Sequence, residues 1–290
     1  MADQRRAGVV GLGLIGGSLG LDLQSLGWEV QGLVHREVAA ERALARGLAH
    51  QVSTNPSCLS GCDLVILALP IARLLDPDPA LVDALPSTAV VTDVGSVKAP
   101  VLKVWSRLHP RFVASHPMAG TAEAGVEAGF SGLFHGRPWI ATPDSQTDPL
   151  ALQLIQNLAE SLGSIWTVAA AVQHDQAVAL ISHVPVLVSA ALLRAVGDER
   201  DPGIRQLAME LASSGFADTS RVGGGNPELG VAMASGNRDA VLKGLAAYRW
   251  SLEQLEDAVM QQNWEQLGQE LTRTQTLRPD FLSRADQDTP

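Results

Sequence analysis

The fold of this chain is decided by the stretch Gly8-Val9-Val10-Gly11-Leu12-Gly13-Leu14-Ile15-Gly16. A short apolar run leads into glycines spaced as G-x-G-x-x-G, and a helix-forming stretch follows them. Glycine at these places permits a tight turn after a strand and close packing of the next helix. The stretch therefore predicts a strand, a turn and a helix that open a parallel α/β sheet.

A turn of this kind is also a place where a phosphate group can approach the backbone. The second glycine leaves room for a pyrophosphate, and the N-terminus of the following helix favours its negative charge. The sequence predicts a dinucleotide site that is formed by Gly11, Gly13, Leu14, Ile15 and Gly16.

Further β-rich runs alternate with helical stretches as far as residue 168. The predicted strands are 8–10, 29–34, 64–69, 89–93, 111–114, 139–142 and 165–168. This alternation predicts parallel strands with helical crossovers in a doubly wound sheet, because parallel neighbours need long connections. We expect residues 1–168 to form an α/β Rossmann-type nucleotide-binding domain, 169–282 an all-α C-terminal domain, and 283–290 a tail.

Composition and charge exclude several classes of protein. Of the 290 residues, 46% are hydrophobic and 18% charged, as in globular proteins, and the net charge of −10 disfavours a nucleic-acid partner. Cys58 and Cys62 supply neither a disulfide framework nor a four-ligand zinc site, so we expect no metal and a cytoplasmic location. The apolar run 7–26 contains six glycines, Asp22 and Gln24, so we expect no membrane segment there and no membrane partner.

The end of the second predicted strand bears on the choice of cofactor. NAD-selective sites place an acidic residue there to bind the ribose hydroxyls, whereas this strand ends at His35 and Arg36. A guanidinium can bind a 2′-phosphate through charge-assisted hydrogen bonds, so we expect NADP. In the alternative, Arg36 is a surface charge and Glu37 turns inward to bind the ribose, and the cofactor would then be NAD.

Two further strand ends are expected at the same crevice, because ligands of open parallel sheets bind at the carboxyl ends of the strands. Leu69 and Pro70 follow one of these strands, and we expect them to pack on the cofactor. Gly95 and Ser96 follow the other, and Ser96 is placed to donate a hydrogen bond to a nicotinamide or a substrate.

The candidate acid or base is His116, which follows the predicted strand 111–114. We expect Pro117 to end the ladder of that strand and the imidazole to point into the crevice. Histidine titrates near neutral pH, so His116 is suited to accept a proton from a substrate hydroxyl. Asp93 and Lys98 are interpreted as structural residues.

Two more candidates lie in the helical half. His183 stands within an apolar segment before Pro185, which predicts the end or a kink of a helix there. His183 is either a pocket residue or a histidine of the core. Arg221 precedes a cluster of glycines, and its planar guanidinium is suited to a carboxylate. Its alternative is a surface charge.

Together these motifs resemble the prephenate and arogenate dehydrogenases of tyrosine biosynthesis, most closely the short cyanobacterial-type arogenate enzymes. The matching motifs are Gly-Leu-Gly-Leu-Ile-Gly-Gly-Ser at 11–18, Asp-Val-Gly-Ser-Val-Lys at 93–98, His-Pro-Met-Ala-Gly-Thr at 116–121, Ser-His-Val-Pro at 182–185 and Arg-Val-Gly-Gly-Gly-Asn-Pro at 221–227.

The resemblance implies oxidative decarboxylation of a cyclohexadienol, with hydride transfer to a nicotinamide, loss of carbon dioxide and aromatisation of the ring. By position, His116 is the base at the ring hydroxyl, and Ser96 is its hydrogen-bonding partner or a cofactor contact. Arg221 binds the substrate carboxylate, His183 lines the substrate pocket, and Thr121 counts among the substrate-binding residues.

The resemblance also implies a homodimer that is joined through the helical domain. Some prephenate-using relatives carry an acidic residue directly after the threonine of the histidine motif, where this chain has Ala122. The difference is compatible with arogenate as the main substrate and prephenate as a secondary one. Prephenate as the main substrate, with NAD or NADP, stays open as the alternative.

Two alternative functions that are less similar also stay open. A β-hydroxyacid dehydrogenase or imine reductase shares this domain order, but many such enzymes use a lysine of the helical half, and no lysine lies between Lys103 and Lys243. A noncatalytic module that senses NADP would keep its function without His116.

Overall fold

The computed structural model describes residues 5–121 and 123–282. The strands there are β1 Arg6–Val10, β2 Glu29–Leu33, β3 Gln51–Ser53, β4 Leu64–Leu67, β5 Val90–Asp93, β6 Phe112–Val113, β7 Ser115–Pro117, β8 Pro138–Ala141 and β9 Ile165–Val168. The α-helices are α1 Leu14–Ser25, α2 Glu37–Ala45, α3 Ile71–Leu75, α4 Pro79–Ala84, α5 Ala99–Leu108, α6 Pro149–Ser161, α7 Ala171–Val178, α8 Val184–Gly197, α9 Pro202–Leu211, α10 Ser214–Ser220, α11 Pro227–Gly236, α12 Arg238–Met260 and α13 Trp264–Leu282. The predicted tail 283–290 and Ala122 lie outside the described residues.

The N-terminal half is built on a six-stranded sheet with the order β3-β2-β1-β4-β5-β6. All of its paired strands are parallel. The order reverses between β1 and β4, which creates a crevice at their carboxyl ends. The predicted fold class, a Rossmann-type α/β domain followed by a helical domain, is confirmed.

Both faces of this sheet are buried, as its nearly continuous apolar strands require. Val9 and Ile66 face a core that includes side chains of α1, α2 and α6. Val10 and Leu67 face the opposite core, which α3, α4 and α5 complete around the fully buried Trp105. The two cores therefore cover both faces of the sheet up to its carboxyl edge.

The last two predicted strands belong to a different sheet, so the prediction of one doubly wound sheet was wrong for them. β7, β8 and β9 form a separate three-stranded sheet, in which β7 and β8 are antiparallel. In the described part of the connection 118–137, the only helical turn is the short 3-10 turn Val126–Ala128. The connection therefore lacks the helical crossover that a parallel neighbour of β6 would need.

Pro117 is the last residue of β7, where it lies opposite Trp139, so it ends the ladder of this strand and not that of the predicted strand 111–114. β7 is the edge strand of the small sheet, where a residue without an N–H group is tolerated. His116 is thus held in a strand on one side by Ser115 and on the other by Pro117, and it does not lie in a loop.

The helical half begins with one continuous rod. α7, a π-helical turn at Ala179–His183, and α8 together run from Ala171 to Gly197. Pro185 cannot donate to the helical ladder, and the wide turn directly before it accommodates this loss. Pro185 therefore lies in the first turn of α8, directly after a π turn, and the helix continues past it and does not end there.

Much of the helical half is apolar and exposed. The rod Ala171–Gly197 is long and apolar enough to cross a membrane by length and composition, and 28% of its most apolar window is buried. α9 and α13 contain no buried residue, although they carry Leu211, Trp264 and Phe281. Surfaces of this kind are typical of interaction faces.

Candidate functional site

The carboxyl edge of the large sheet brings the sequence motifs together. Val10 lies opposite Leu33 and Leu67 in the register, and Leu67 lies opposite Asp93. The glycine loop, the segment 68–70 and the segment 94–98 therefore leave the sheet side by side. β7 follows β6 after one residue and adds His116 to this edge.

The three glycines of the loop have three different surroundings. Gly11 has a φ of +91°, and a Cβ there would lie 2.3 Å from the backbone oxygen of Ala68. A Cβ on Gly16 would lie 1.8 Å from the backbone oxygen of Gly11. No heavy atom lies within 4 Å of a Cβ built on Gly13. Gly11 and Gly16 are thus required by packing, whereas Gly13 leaves open space.

That open space lies at the N-terminus of α1. Gly13 is the N-cap, no side chain caps the helix, and no acidic residue lies in its first turn. The backbone N–H groups of Leu14 and Ile15 are therefore free to meet an anion. These residues fit the pyrophosphate of a dinucleotide.

The other predicted cofactor residues surround the crevice. Leu69 is half-buried and Pro70 exposed, and Leu69 Cδ2 lies 3.7 Å from the position of a Cβ on Gly11. Gly95 is buried, and its N–H donates to Asp93 at 2.9 Å.

At the end of β2, His35 and Arg36 are both exposed, and Arg36 is the N-cap residue of α2. The carboxylate of Glu37 accepts a hydrogen bond from the hydroxyl of Thr54, which directly follows β3. Glu37 is therefore engaged on the side of β3, away from β1 and its glycine loop.

His116 is buried, with 9% of the residue exposed. Its Nδ1 is 2.9 Å from Nε2 of His174 on α7. Its Nε2 has no hydrogen-bond partner among the described residues and is not among the fully buried unpaired atoms. One ring nitrogen is thus held by a neighbour, and the other is free for a ligand.

The contact with His174 continues to a carboxylate. Nδ1 of His174 is 2.8 Å from Oδ1 of Asp175. Asp175 also accepts the backbone N–H groups of Lys98 at 2.7 Å and of Ala99 at 2.8 Å. The helical half therefore reaches both His116 and the first turn of α5.

A fully buried ion pair lies on the other side of His116. The ammonium of Lys98 donates to Asp93 and, at 2.7 Å, to the backbone oxygen of Ser115. Burial raises the pKa of Asp93 and lowers the pKa of Lys98, and the attraction between the two groups opposes both shifts. The pair anchors the start of β7, in agreement with the structural interpretation of Asp93 and Lys98.

Both candidate histidines have depressed pKa values. Burial, followed by the nearby charge of Lys98 and by His174 and His183, holds the pKa of His116 well below its ordinary value. Burial lowers the pKa of His183 to about 4, although Asp175 acts in the opposite direction. At neutral pH both imidazoles are therefore neutral and able to accept a proton or a hydrogen bond.

His183 lies in the π turn, next to the histidine cluster. Its Nδ1 is 3.3 Å from Nδ2 of Asn237, which also donates to the backbone oxygen of Asp175 at 2.7 Å. Its Nε2 is fully buried and has no partner among the described residues. His183 is thus a buried residue whose Nε2 has no hydrogen-bond partner among the described residues.

The remaining predicted site residues are less tightly assembled. Ser96 is half-buried, and its hydroxyl has no partner in the part of the chain that the structure describes. Thr121 is exposed and accepts the N–H of Glu123 at 3.2 Å. Arg221 is exposed and has no ion pair within the described ranges.

The glycines after Arg221 have a packing role. A Cβ on Gly223 would lie 2.3 Å from the backbone nitrogen of Ala190, and the N–H of Gly223 donates to Ser189 at 2.9 Å. Asn226 caps α11 by accepting the N–H of Glu228 at 2.9 Å. The motif therefore presses the turn that carries Arg221 against α8.

Sequence reasoning missed His174, Asp175 and Asn237. A visible signal was the adjacent pair His174 and Asp175 in a helical segment that is largely apolar, where charged groups are costly unless they are paired. Within residues 5–121 and 123–282, no group of three or more His, Cys, Asp or Glu side chains could hold a metal ion.

Comparison with known proteins identifies the family of both halves. Residues 19–168 match the prephenate dehydrogenase nucleotide-binding domain, and residues 170–273 match the prephenate dehydrogenase dimerization domain.

Individual relatives agree over nearly the whole chain. The crystal structure of Synechocystis arogenate dehydrogenase is 42% identical, with a TM-score of 0.81 over 95% of this chain and 99% of that one. The prephenate dehydrogenase of Aquifex aeolicus, in complex with hydroxyphenyl propionate and NAD+, is 25% identical, with a TM-score of 0.90 over 96% and 99%. The cyclohexadienyl dehydrogenase of Zymomonas mobilis is 30% identical over 93% of this chain and 94% of its own.

The surroundings of the glycines generate a paired prediction. Gly16→Ala should lower the free energy of unfolding by about 1–3 kcal/mol, because its methyl group meets backbone. Gly13→Ala should cost less than about 1 kcal/mol but weaken dinucleotide binding, because its methyl group enters the open space. Urea unfolding and fluorescence titration measure the two effects. Unchanged binding by Gly13→Ala would contradict the assignment.

The depressed pKa of His183 generates a prediction about pH. The unfolded chain binds a proton at this residue below about pH 6.5, whereas the folded chain does so only below about pH 4. Stability should therefore fall as pH decreases through this window, and His183→Gln should reduce the slope. His135→Gln, at an exposed histidine, is the control. Equal slopes for the wild type and His183→Gln, measured by urea unfolding across the window, would refute the prediction.

Proposed function

Because this chain belongs to the prephenate dehydrogenase family, we propose that it catalyses the NADP-dependent oxidative decarboxylation of arogenate to tyrosine. The observation that carries the proposal is the neutral imidazole of His116, held at one nitrogen and free at the other, at the edge that also carries the glycine loop. Prephenate is a secondary substrate in this proposal.

The choice of arogenate rests on the pattern of similarity. The arogenate dehydrogenase of Synechocystis is 42% identical, whereas the prephenate dehydrogenase of A. aeolicus is 25% identical. The sequence supports the same choice, because it has Ala122 at the position where some prephenate-using relatives carry an acidic residue. Ala122 lies outside the described residues. The rival, an NAD-dependent prephenate dehydrogenase, is favoured by the NAD+ in the A. aeolicus complex.

In the proposed reaction, His116 acts as the general base. Its free Nε2 accepts the proton of the ring hydroxyl while hydride leaves the same carbon. The bound nicotinamide supplies the hydride acceptor. Loss of the ring carboxylate as carbon dioxide then leaves an aromatic ring, which makes the step strongly favourable.

The other residues position the substrate in this proposal. Arg221 binds the carboxylate of the substrate side chain, and Thr121 is a further substrate-binding residue. The unpaired Nε2 of His183 lines the pocket, and the hydroxyl of Ser96, which has no partner among the described residues, bonds to the substrate or the cofactor.

The choice of NADP rests on Arg36 and Glu37. Arg36 is exposed at the end of β2 and has no ion pair among the described residues, so its guanidinium is available to a 2′-phosphate. Glu37 is occupied by Thr54, which supports this choice over the arrangement in which Glu37 binds the ribose.

We propose a homodimer in the cytoplasm. Apolar residues are exposed on α9, on α13 and on the rod Ala171–Gly197. In the proposed dimer, the dimerization domain of a second copy buries them. The rod also carries Asp175, whose partners belong to the site, and a charged group is costly inside a bilayer. A dimer explains this apolar surface without a membrane.

The proposal predicts the outcome of a four-way assay. With purified protein, kcat/KM for arogenate and NADP should exceed the values for prephenate and for NAD by about 10-fold or more, as measured by the absorbance of reduced nicotinamide. His116→Asn should lower kcat by about 10²- to 10⁴-fold and leave cofactor affinity unchanged. The absence of turnover of either substrate with either cofactor would contradict the proposed function.

The cofactor assignment makes its own prediction. Arg36→Ala should raise the Kd of NADP by about 10-fold or more and change the Kd of NAD little, because it removes charge-assisted hydrogen bonds to the 2′-phosphate. Fluorescence titration of both cofactors measures the difference. An equal loss for the two cofactors would show that Arg36 does not bind that phosphate.

A further inference from the structure

His116 is the first member of a buried row of three side chains. Nδ1 of His116 meets Nε2 of His174 at 2.9 Å, and Nδ1 of His174 meets Oδ1 of Asp175 at 2.8 Å. The row runs from β7, in the small sheet, to α7, in the helical half. His174 and Asp175 are 2% and 5% exposed, so water does not compete for these bonds.

The direction of each hydrogen bond follows from the carboxylate. Both oxygens of Asp175 accept backbone N–H groups, at 2.7 Å from Lys98 and 2.8 Å from Ala99. An ionised carboxylate only accepts, so Nδ1 of His174 must carry the proton. When His174 is neutral, its Nε2 is then an acceptor, and Nδ1 of His116 must donate to it. The free Nε2 of His116 is left with a lone pair.

We propose that His174 and Asp175 are positioning residues that hold His116 as the Nδ1–H tautomer and share the proton it takes from the substrate. This inference rests on the proposed function of His116 as the base. His174 and Asp175 act through His116 and do not touch the substrate.

The proton balance is simple. Nε2 of His116 takes the hydroxyl proton, and the proton on Nδ1 moves along the 2.9 Å bond to Nε2 of His174. His116 is then neutral again with its proton on Nε2, and His174 is an imidazolium beside the Asp175 carboxylate. No bond other than N–H and O–H changes in this transfer.

The charges around the row favour this movement. His116 interacts with the buried Lys98, with His174 on α7 and with His183 in the π turn, while Asp93 is paired with Lys98 and Asp175 with His174. A positive charge that stays on His116 is repelled by Lys98, whereas a positive charge on His174 is in direct contact with Asp175. The row thus moves the charge toward its counterion.

Two substitutions at His174 separate orientation from proton sharing. His174→Gln offers an amide oxygen to the N–H of His116 but cannot take a proton, whereas His174→Leu does neither. We expect kcat to fall about 10-fold in His174→Gln and about 100-fold in His174→Leu, with little change in KM. His109→Gln is the control, because His109 is a buried histidine that bonds to the backbone oxygen of Pro86 and to no member of the row.

The pH profile distinguishes this role from a merely structural one. In Asp175→Asn, the acidic limb of the kcat/KM profile should move to lower pH, because the proton shared by His116 and His174 loses its counterion. A structural defect would lower the plateau and leave the limb in place. A His174→Gln variant with the wild-type kcat and profile would overturn proton sharing.

The tautomer is tested without any substrate, so its outcome is separate from that of the proposed function. In protein labelled with ¹⁵N-histidine and assigned with single-histidine variants, His116 should show a protonated Nδ1 and an unprotonated Nε2. His174→Leu should lose this preference, and His174→Gln should retain it. A wild-type His116 that is protonated on Nε2 would overturn the inference, even if the enzyme turns over arogenate.

Discussion

The arrangement of the site depends on one carboxylate. Asp175 accepts two backbone N–H groups at the start of α5 and the imidazole of His174, while Asn237 binds the backbone oxygen of Asp175. A carboxylate at a helix N-terminus is stabilised by the helix dipole, and each buried N–H group left without it would cost about 1–3 kcal/mol. Because Asp175 is on α7 and the two backbone N–H groups that it binds are on the nucleotide-binding domain, this carboxylate fixes the contact between the two halves.

The ion pair of Asp93 and Lys98 supports the same arrangement from the opposite side. Both side chains are completely buried, and such a pair is strongly destabilising to break because the remaining charge has no water. Lys98 also binds the backbone oxygen of Ser115, directly before His116. The pair thus fixes the backbone of the base, and the charge of Lys98 adds to burial in lowering the pKa of the imidazole. The same contacts therefore affect both the stability of the fold and the proton affinity of His116.

The sequence predicted those parts of the site that follow from local geometry. A strand, a G-x-G-x-x-G turn and a helix adjoin one another in the chain, so Gly11 and Gly16 could be assigned their packing roles directly. The small sheet was missed because the apolar pattern of β8 and β9 predicts strands but does not show which strands they pair with. In the structure they pair with β7 and with each other, and not with the large sheet. His174 was missed for the same reason, since its partner lies 58 residues away in the sequence.

The helical half links assembly to the site through one rod. α8 carries the close contact with Gly223 that fixes the turn of Arg221, and α7, in the same rod, carries His174 and Asp175. In the proposed dimer, a second copy covers the exposed face of this rod, so the contact between subunits acts on the element that aligns the base. The π turn between α7 and α8 places His183 at the junction. A shift of α8 on assembly would therefore reach His183 first and then, through α7, the pair His174 and Asp175 that contacts His116.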